Sequence, residues 1–393
     1  MCLEGVYLVS ATLEYDNNSN NRLIPKRKPS NLSETIMKSF KLNKIATVAL
    51  AAASLAGAVG TASACSRFTL DTPHGVSTVR SLDWGDQLGN VAQVNPVDVQ
   101  NTSETPSYKN AMSWTTKYHA ISQMEWDVFH GVASDAINSE GLAASLLYMA
   151  DSKEFIKDYK DTGAPAVSFL DVIRYITETY STTEEAVQAF NNNEWQIAWA
   201  DGLHGALHGL HISIQDKTGD IALMQLNEGG KMVVHRGDTS SDLRVMANAP
   251  LQQDHRDYVA KVDLADLKAK DIPSSISSAD RNLRGLFNTQ HVTFKEDASW
   301  AQTRGKLLST YNAGNLVPQD LVDPVNGETY ATWTQFTYNH DNGDFLFSNY
   351  DTRTQIGYNF SETLHFTKTM CADTVEQANG GLNKAVFTEC ATH

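Results

Sequence analysis

Cys65 stands directly after Ala62-Ser63-Ala64, at the exit of an apolar tract, and opens the stretch "CSRFTLDTPHGVSTVRSLDW". If the chain is cut before it, Cys65 carries both a thiol and its own α-amino group. An α-amine titrates at about 7.7–8.0, so near neutral pH it can take the thiol proton with no histidine partner. Such a nucleophile also needs a nearby cation and fixed donors for the oxyanion formed when a carbonyl is attacked. Arg80, Asp83 and a distant asparagine are the candidates. Two other readings of Cys65 stand beside this one. Ala62-Ser63-Ala64-Cys65 can be a lipobox, giving a periplasmic lipoprotein that binds a small ligand without chemistry, although Ala62 occupies a place usually held by a larger aliphatic residue. Cys65 can equally be an ordinary buried cysteine at a strand start.

The tract before it reads as a secretory signal peptide over residues 37–64. Lys38, Lys41 and Lys44 form a positive start, residues 45–60 an apolar alanine-rich run, and Ala62-Ser63-Ala64 a small-residue cleavage site. The run is shorter than the roughly 20 residues that span a bilayer, so no stable membrane insertion is expected after processing. Residues 1–36 are polar and Asn-rich and read as a non-native upstream extension, with Met37 as the start. The expected compartment is periplasmic or extracellular.

The elements that must position these residues follow from pattern. "CSRFTL" and "VSTVRSLDW" alternate around the turn residues of "DTPHG", which predicts a hairpin returning Arg80 and Asp83 to the neighbourhood of Cys65. Taken alone, Arg80 and Asp83 can also be a structural ion pair. A second hairpin is predicted around 138–141, ending near Tyr148. Two helices follow, with Ser168/Asp171 and Ser181/Glu184 as expected capping boxes. Strands are expected within 208–236, helices over 274–288 and 300–311, and a last hairpin around Asn342-Gly343. This order predicts one α+β domain over residues 65–393.

The chain has 393 residues and a formal net charge of -15, with no basic block beyond Lys26-Arg27-Lys28. Nucleic acid is therefore not an expected partner. His204, His208 and His211 invite a metal reading. Three glycines interrupt that segment and no acid stands between the histidines, so no metal and no cofactor are expected. Cys371 and Cys390 are candidates for a disulfide in an oxidising compartment, with two buried thiols as the alternative.

From Cys65 to about Asp351 the chain resembles the choloylglycine hydrolase or penicillin V acylase family of N-terminal nucleophile hydrolases. Cys65, the "R-x-x-D" of Arg80 and Asp83, Asn248 in "MANAP" and Arg281 in "SSADRNLRG" carry the resemblance, with Arg284 an alternative to Arg281. It implies a four-layer αββα sandwich, Cys65 as nucleophile, Arg80 and Arg281 holding the thiolate, and Asp83 orienting the new amine. Asn248 and the Tyr148 backbone would form the oxyanion hole. In "GLAASLLYM", Tyr148 replaces an asparagine of the bile salt hydrolases, which tilts the expected substrate toward phenoxyacetyl or other acyl amides. Trp84, Tyr148 and Met149 are then the expected substrate contacts, unless they are plain core. N-acyl homoserine lactones and bile salts are the alternative substrates. A homotetramer is expected by the same resemblance.

Overall fold

The computed structural model describes residues 65–129, 131–199, 207–323, 327 and 329–390. The expected signal peptide and upstream extension lie outside them, as does His204. Two antiparallel sheets lie face to face. The first has six strands in the order Val245–Ala247, β1 (Ser66–Thr72), β2 (Gly75–Trp84), Ala331–Asn339, Phe345–Asn349 and Gln355–Tyr358. The second has nine and runs from Lys231–Asp238 through Asp220–Asn227, Leu210–Gln215, Ala143–Tyr148, Val132–Asn138, Ala120–Glu125 and Asn90–Asn95 to Met370–Asp373 and Thr388–Glu389.

Helices cover each outer face. Phe68, Leu70 and Val79 of the first hairpin pack with Leu286 of one helix (Ser278–His291) and with Leu307 and Tyr311 of the next (Trp300–Asn312). On the far side, Val172, Ile173 and Ile176 of Val172–Thr179 and Val187 of Thr183–Asn191 pack on Ala133 and Ala144. Each fully buried side chain of this size contributes about 1.5–3 kcal/mol relative to exposure. The result is the four-layer αββα sandwich.

The period of two along a strand decides which layer each residue of the first hairpin reaches. Phe68 and Val79 turn out to the helices, whereas Arg67 turns inward and donates to Ser213 Oγ of the second sheet at 2.7 Å. Between the sheets, Ile121, Ile137 and Ala143 meet Phe336, Tyr338 and Phe347.

Both expected capping boxes need correction. Ser168 belongs to a short strand paired with Ala198, and Asp171 accepts from Ser103 Oγ at 2.7 Å, so neither caps the helix that begins at Val172. Tertiary pairing has claimed them. At the next helix the motif is displaced by one residue: Thr182 accepts from the Glu185 amide, and Glu185 reaches back to the Ser181 amide at 2.8 Å. Cys371 and Cys390 are joined as a disulfide that ties the strand Met370–Asp373 to the residue following the edge strand Thr388–Glu389 of the larger sheet.

Candidate active site

The first hairpin is in register Ser66 to Ser81 and Arg67 to Arg80, so the end of β2 returns to the start of β1. Cys65 is buried, and its thiol lies 3.9 Å from the Asp83 carbonyl oxygen, onto which it donates. Ser66 is also paired with Ala247 on its other side, which brings Asn248 alongside. Thus one strand start is gripped from both neighbours.

Arg80 and Asp83 are an odd number apart and face opposite layers. The structural ion pair between them does not form. Arg80 turns between the sheets, where it is salt-bridged to Asp135 and donates to the Leu146 carbonyl at 2.8 Å. Asp135 is held in turn by Ser145 Oγ at 2.7 Å. Burial works against the Arg80 charge, but Asp135 and Cys65 outweigh it and raise the Arg80 pKa. Asp83 instead faces the helix layer. Complete burial lifts its pKa to about 6, although the Arg281 charge and the hydroxyls of Thr332 and Ser81 pull the other way.

Arg281 comes from the helix Ser278–His291, whose Ser277 caps its first turn. Its guanidinium donates through Nη1 to the Cys65 carbonyl at 2.9 Å and to Ser66 Oγ, and through Nη2 to Asn248 Oδ1 at 3.3 Å. Burial lowers its pKa, partly offset by Asp83, Tyr311 and Cys65. Arg284, the alternative, is spent on the carbonyls of Gly314, Pro273 and Ser275. The Asn248 carboxamide is held at its other end by donating to the Tyr148 carbonyl at 2.8 Å, and His255 Nε2 donates to its backbone carbonyl at 2.8 Å.

A mostly apolar cavity opens on Cys65 and Arg80, with Trp84, Phe129, Tyr148 and His208 among its walls. Trp84 lies edge-on to Phe129 at 5.0 Å and to Tyr148 at 6.3 Å. Met149 is corrected: it is fully buried and does not line this cavity, because the residue after Tyr148 on an extended chain turns the other way. Of the three histidines, His208 and His211 are among the described residues. His208 lines the cavity beside Tyr148, while burial drives the pKa of His211 on its strand down to about 3. Among the described residues no group of three or more His, Cys, Asp or Glu is arranged to hold a metal.

Sequence reasoning missed Asp135, Ser66 and Tyr311. Tyr311 donates to the Ser66 carbonyl at 3.2 Å and its hydroxyl accepts from Ser81 Oγ, fastening both strands of the hairpin. Nothing in the local pattern marks them, although an alternating strand carrying a lone acid, "VASDAIN", was a signal for Asp135.

A cysteine at the head of a central strand, inside an αββα sandwich, defines the N-terminal nucleophile hydrolase class. Within it, the model of linear amide C–N hydrolases, choloylglycine hydrolase family, matches residues 65–363, and the chain belongs to that family. It is 27% identical over 279 residues to a penicillin V acylase of Pectobacterium atrosepticum, covering 69% of this chain and 72% of that one. Two solved structures share the fold. Penicillin V acylase of Agrobacterium tumefaciens superposes with a TM-score of 0.66 at 22% identity, covering 79% of this chain and 91% of its own. A variant of the conjugated bile acid hydrolase of Clostridium perfringens does so at 0.62 and 15%, covering 78% and 95%. The chain is a linear amide C–N hydrolase.

Proposed function

We propose that the protein is an exported amidase that uses Cys65, unmasked by removal of the residues through Ala64, to hydrolyse the amide of a small N-acyl compound in the manner of a penicillin V acylase. The observation that carries this is the Arg281 guanidinium, which ties the Cys65 carbonyl to the Asn248 carboxamide. A common support for Cys65 and Asn248 is what a nucleophile and its oxyanion donor require, and it supports this reading.

The steps follow from these positions. The α-amine of Cys65 takes the thiol proton, becoming an ammonium that the buried Asp83 carboxylate steadies and orients. The sulfur forms a bond to the amide carbon, and the carbonyl electrons move to oxygen, which Asn248 stabilises. Collapse breaks the C–N bond, the ammonium proton passes to the leaving amine, and a thioester remains. Water, deprotonated by the same α-amine, then releases the acid and restores the thiol. Arg80, held in place by Asp135 and kept charged, supplies positive potential beside the sulfur. The apolar cavity takes the acyl arm, with the Tyr148 and Trp84 rings shaping its mouth.

Intact mass and N-terminal sequencing of the exported protein test the reading, together with turnover of phenoxyacetyl, N-acyl homoserine lactone and bile acid amides by the wild type and Cys65→Ala. A chain beginning at Cys65 that cleaves one of these amides, with cleavage abolished in the variant, is the expected result. A lipidated Cys65, or activity retained in Cys65→Ala, would overturn it.

A further inference from the structure

Glu125 closes the strand Ala120–Glu125 and lines the same cavity as Cys65. It has no part in the chemistry above. Its Oε1 is committed, accepting the amides of Asp127 at 2.9 Å and Val128 at 3.3 Å. Its Oε2 is fully buried and has no hydrogen-bond partner. Directly across the ladder stands Asn90, whose Oδ1 accepts from Thr334 while its Nδ2 is likewise buried and unpartnered. Two unmatched polar atoms on facing residues are costly to bury unless something binds there.

The charge state of Glu125 follows from its surroundings. Burial contributes most; the Val128 and Asp127 amides pull the other way, nearby Asp127 and Asp373 repel a further negative charge, and the carboxyl pKa rises to about 8. At neutral pH the group is then an acid with a proton to donate, set among Trp84, Leu88, Phe129 and Val132.

We propose that Glu125 is a specificity residue, donating from Oε2 to an oxygen acceptor on the acyl arm and selecting ether- or carbonyl-bearing acyl groups over hydrocarbon ones of the same shape. This rests on the cavity being the acyl site of the proposed amidase. An unmet donor in a dry pocket disfavours the analogue that lacks the acceptor, by about tenfold for one neutral hydrogen bond.

The test separates binding from turnover. Phenoxyacetamide and 3-phenylpropanamide differ by an ether oxygen in place of a methylene, and both are titrated calorimetrically into the full-length exported Cys65→Ala protein at pH 6.5. The expected result is about tenfold tighter binding of the ether. Adding Glu125→Met should reduce the ratio to about one, while Glu125→Gln, which keeps a donor and the Oε1 contacts, should preserve it. Equal affinities in the Cys65→Ala background, an unchanged ratio in Glu125→Met, or no binding of either amide would overturn the proposal and leave Oε2 as a water site. Failure of the amidase reading has a different signature: the binding ratio holds, yet the protein with Cys65 intact turns over neither amide.

Discussion

Arg281 and Asn248 are joined by a hydrogen bond of 3.3 Å from Nη2 to Oδ1, while the other arm of the same guanidinium holds the Cys65 carbonyl at 2.9 Å. The Cys65 backbone and the Asn248 side chain are therefore positioned relative to each other by one planar group. A lysine cannot reproduce that fork.

Replacing Arg281 by Lys should lower kcat about 100-fold with KM nearly unchanged, and Asn248→Ala should lower kcat by about 100- to 1,000-fold. Steady-state kinetics on whichever amide is cleaved measures both. Arg284→Lys provides the contrast, because Arg284 closes backbone carbonyls rather than the site. It should reduce stability and spare kcat; comparable kcat losses in the Arg281 and Arg284 variants would contradict the assignment.

Asp135→Asn should be among the most damaging single changes. Both partners of the Arg80–Asp135 pair are essentially inaccessible to solvent, and removing one charge strands the other at a cost of about 3–5 kcal/mol. Denaturant midpoints give the comparison. The double variant Arg80→Met/Asp135→Leu should recover much of that stability and remain inactive, since the potential beside the sulfur is gone.

Glu125 should make the protein less stable as pH rises. Its folded pKa of about 8 lies above the ordinary 4.5, so the native state holds its proton more tightly than the unfolded chain. That stabilisation is complete below about pH 4.5 and is lost as pH climbs through about 8. Glu125→Gln removes the linkage. The wild-type urea midpoint, referred to that of the variant, should fall between pH 5 and pH 8; a difference that stays constant would refute the assignment.

The disulfide should matter to stability and not to catalysis. It closes a loop of 19 positions at the outer edge of the larger sheet. Cys371→Ser/Cys390→Ser should therefore cost about 3 kcal/mol in unfolding free energy with kcat/KM unchanged.

Legibility in the sequence followed the range of the interactions. The first hairpin, the hairpin ending at Tyr148 and the run of three strands from Leu210 to Asp238 are local patterns, and each formed where alternation placed it. Ser168 failed as a cap because a strand 30 residues away claimed its backbone. Arg80 was legible as a residue that approaches Cys65, yet its partner was not, since Asp135 arrives from the opposite sheet. The same limit hid Glu125, whose meaning depends on which atoms around it go unpaired.

The site divides into two halves by distance along the chain. Cys65, Arg80 and Asp83 come together as soon as one hairpin closes, but Asn248 and Arg281 are brought in by an edge strand and a helix more than 160 residues later. On the proposed mechanism, a nascent chain thus carries its nucleophile long before it carries an oxyanion hole. Amide cleavage by that mechanism would be a readout of completed folding, and a chain ending before residue 281 should hold the Cys65 thiol without turning over an amide.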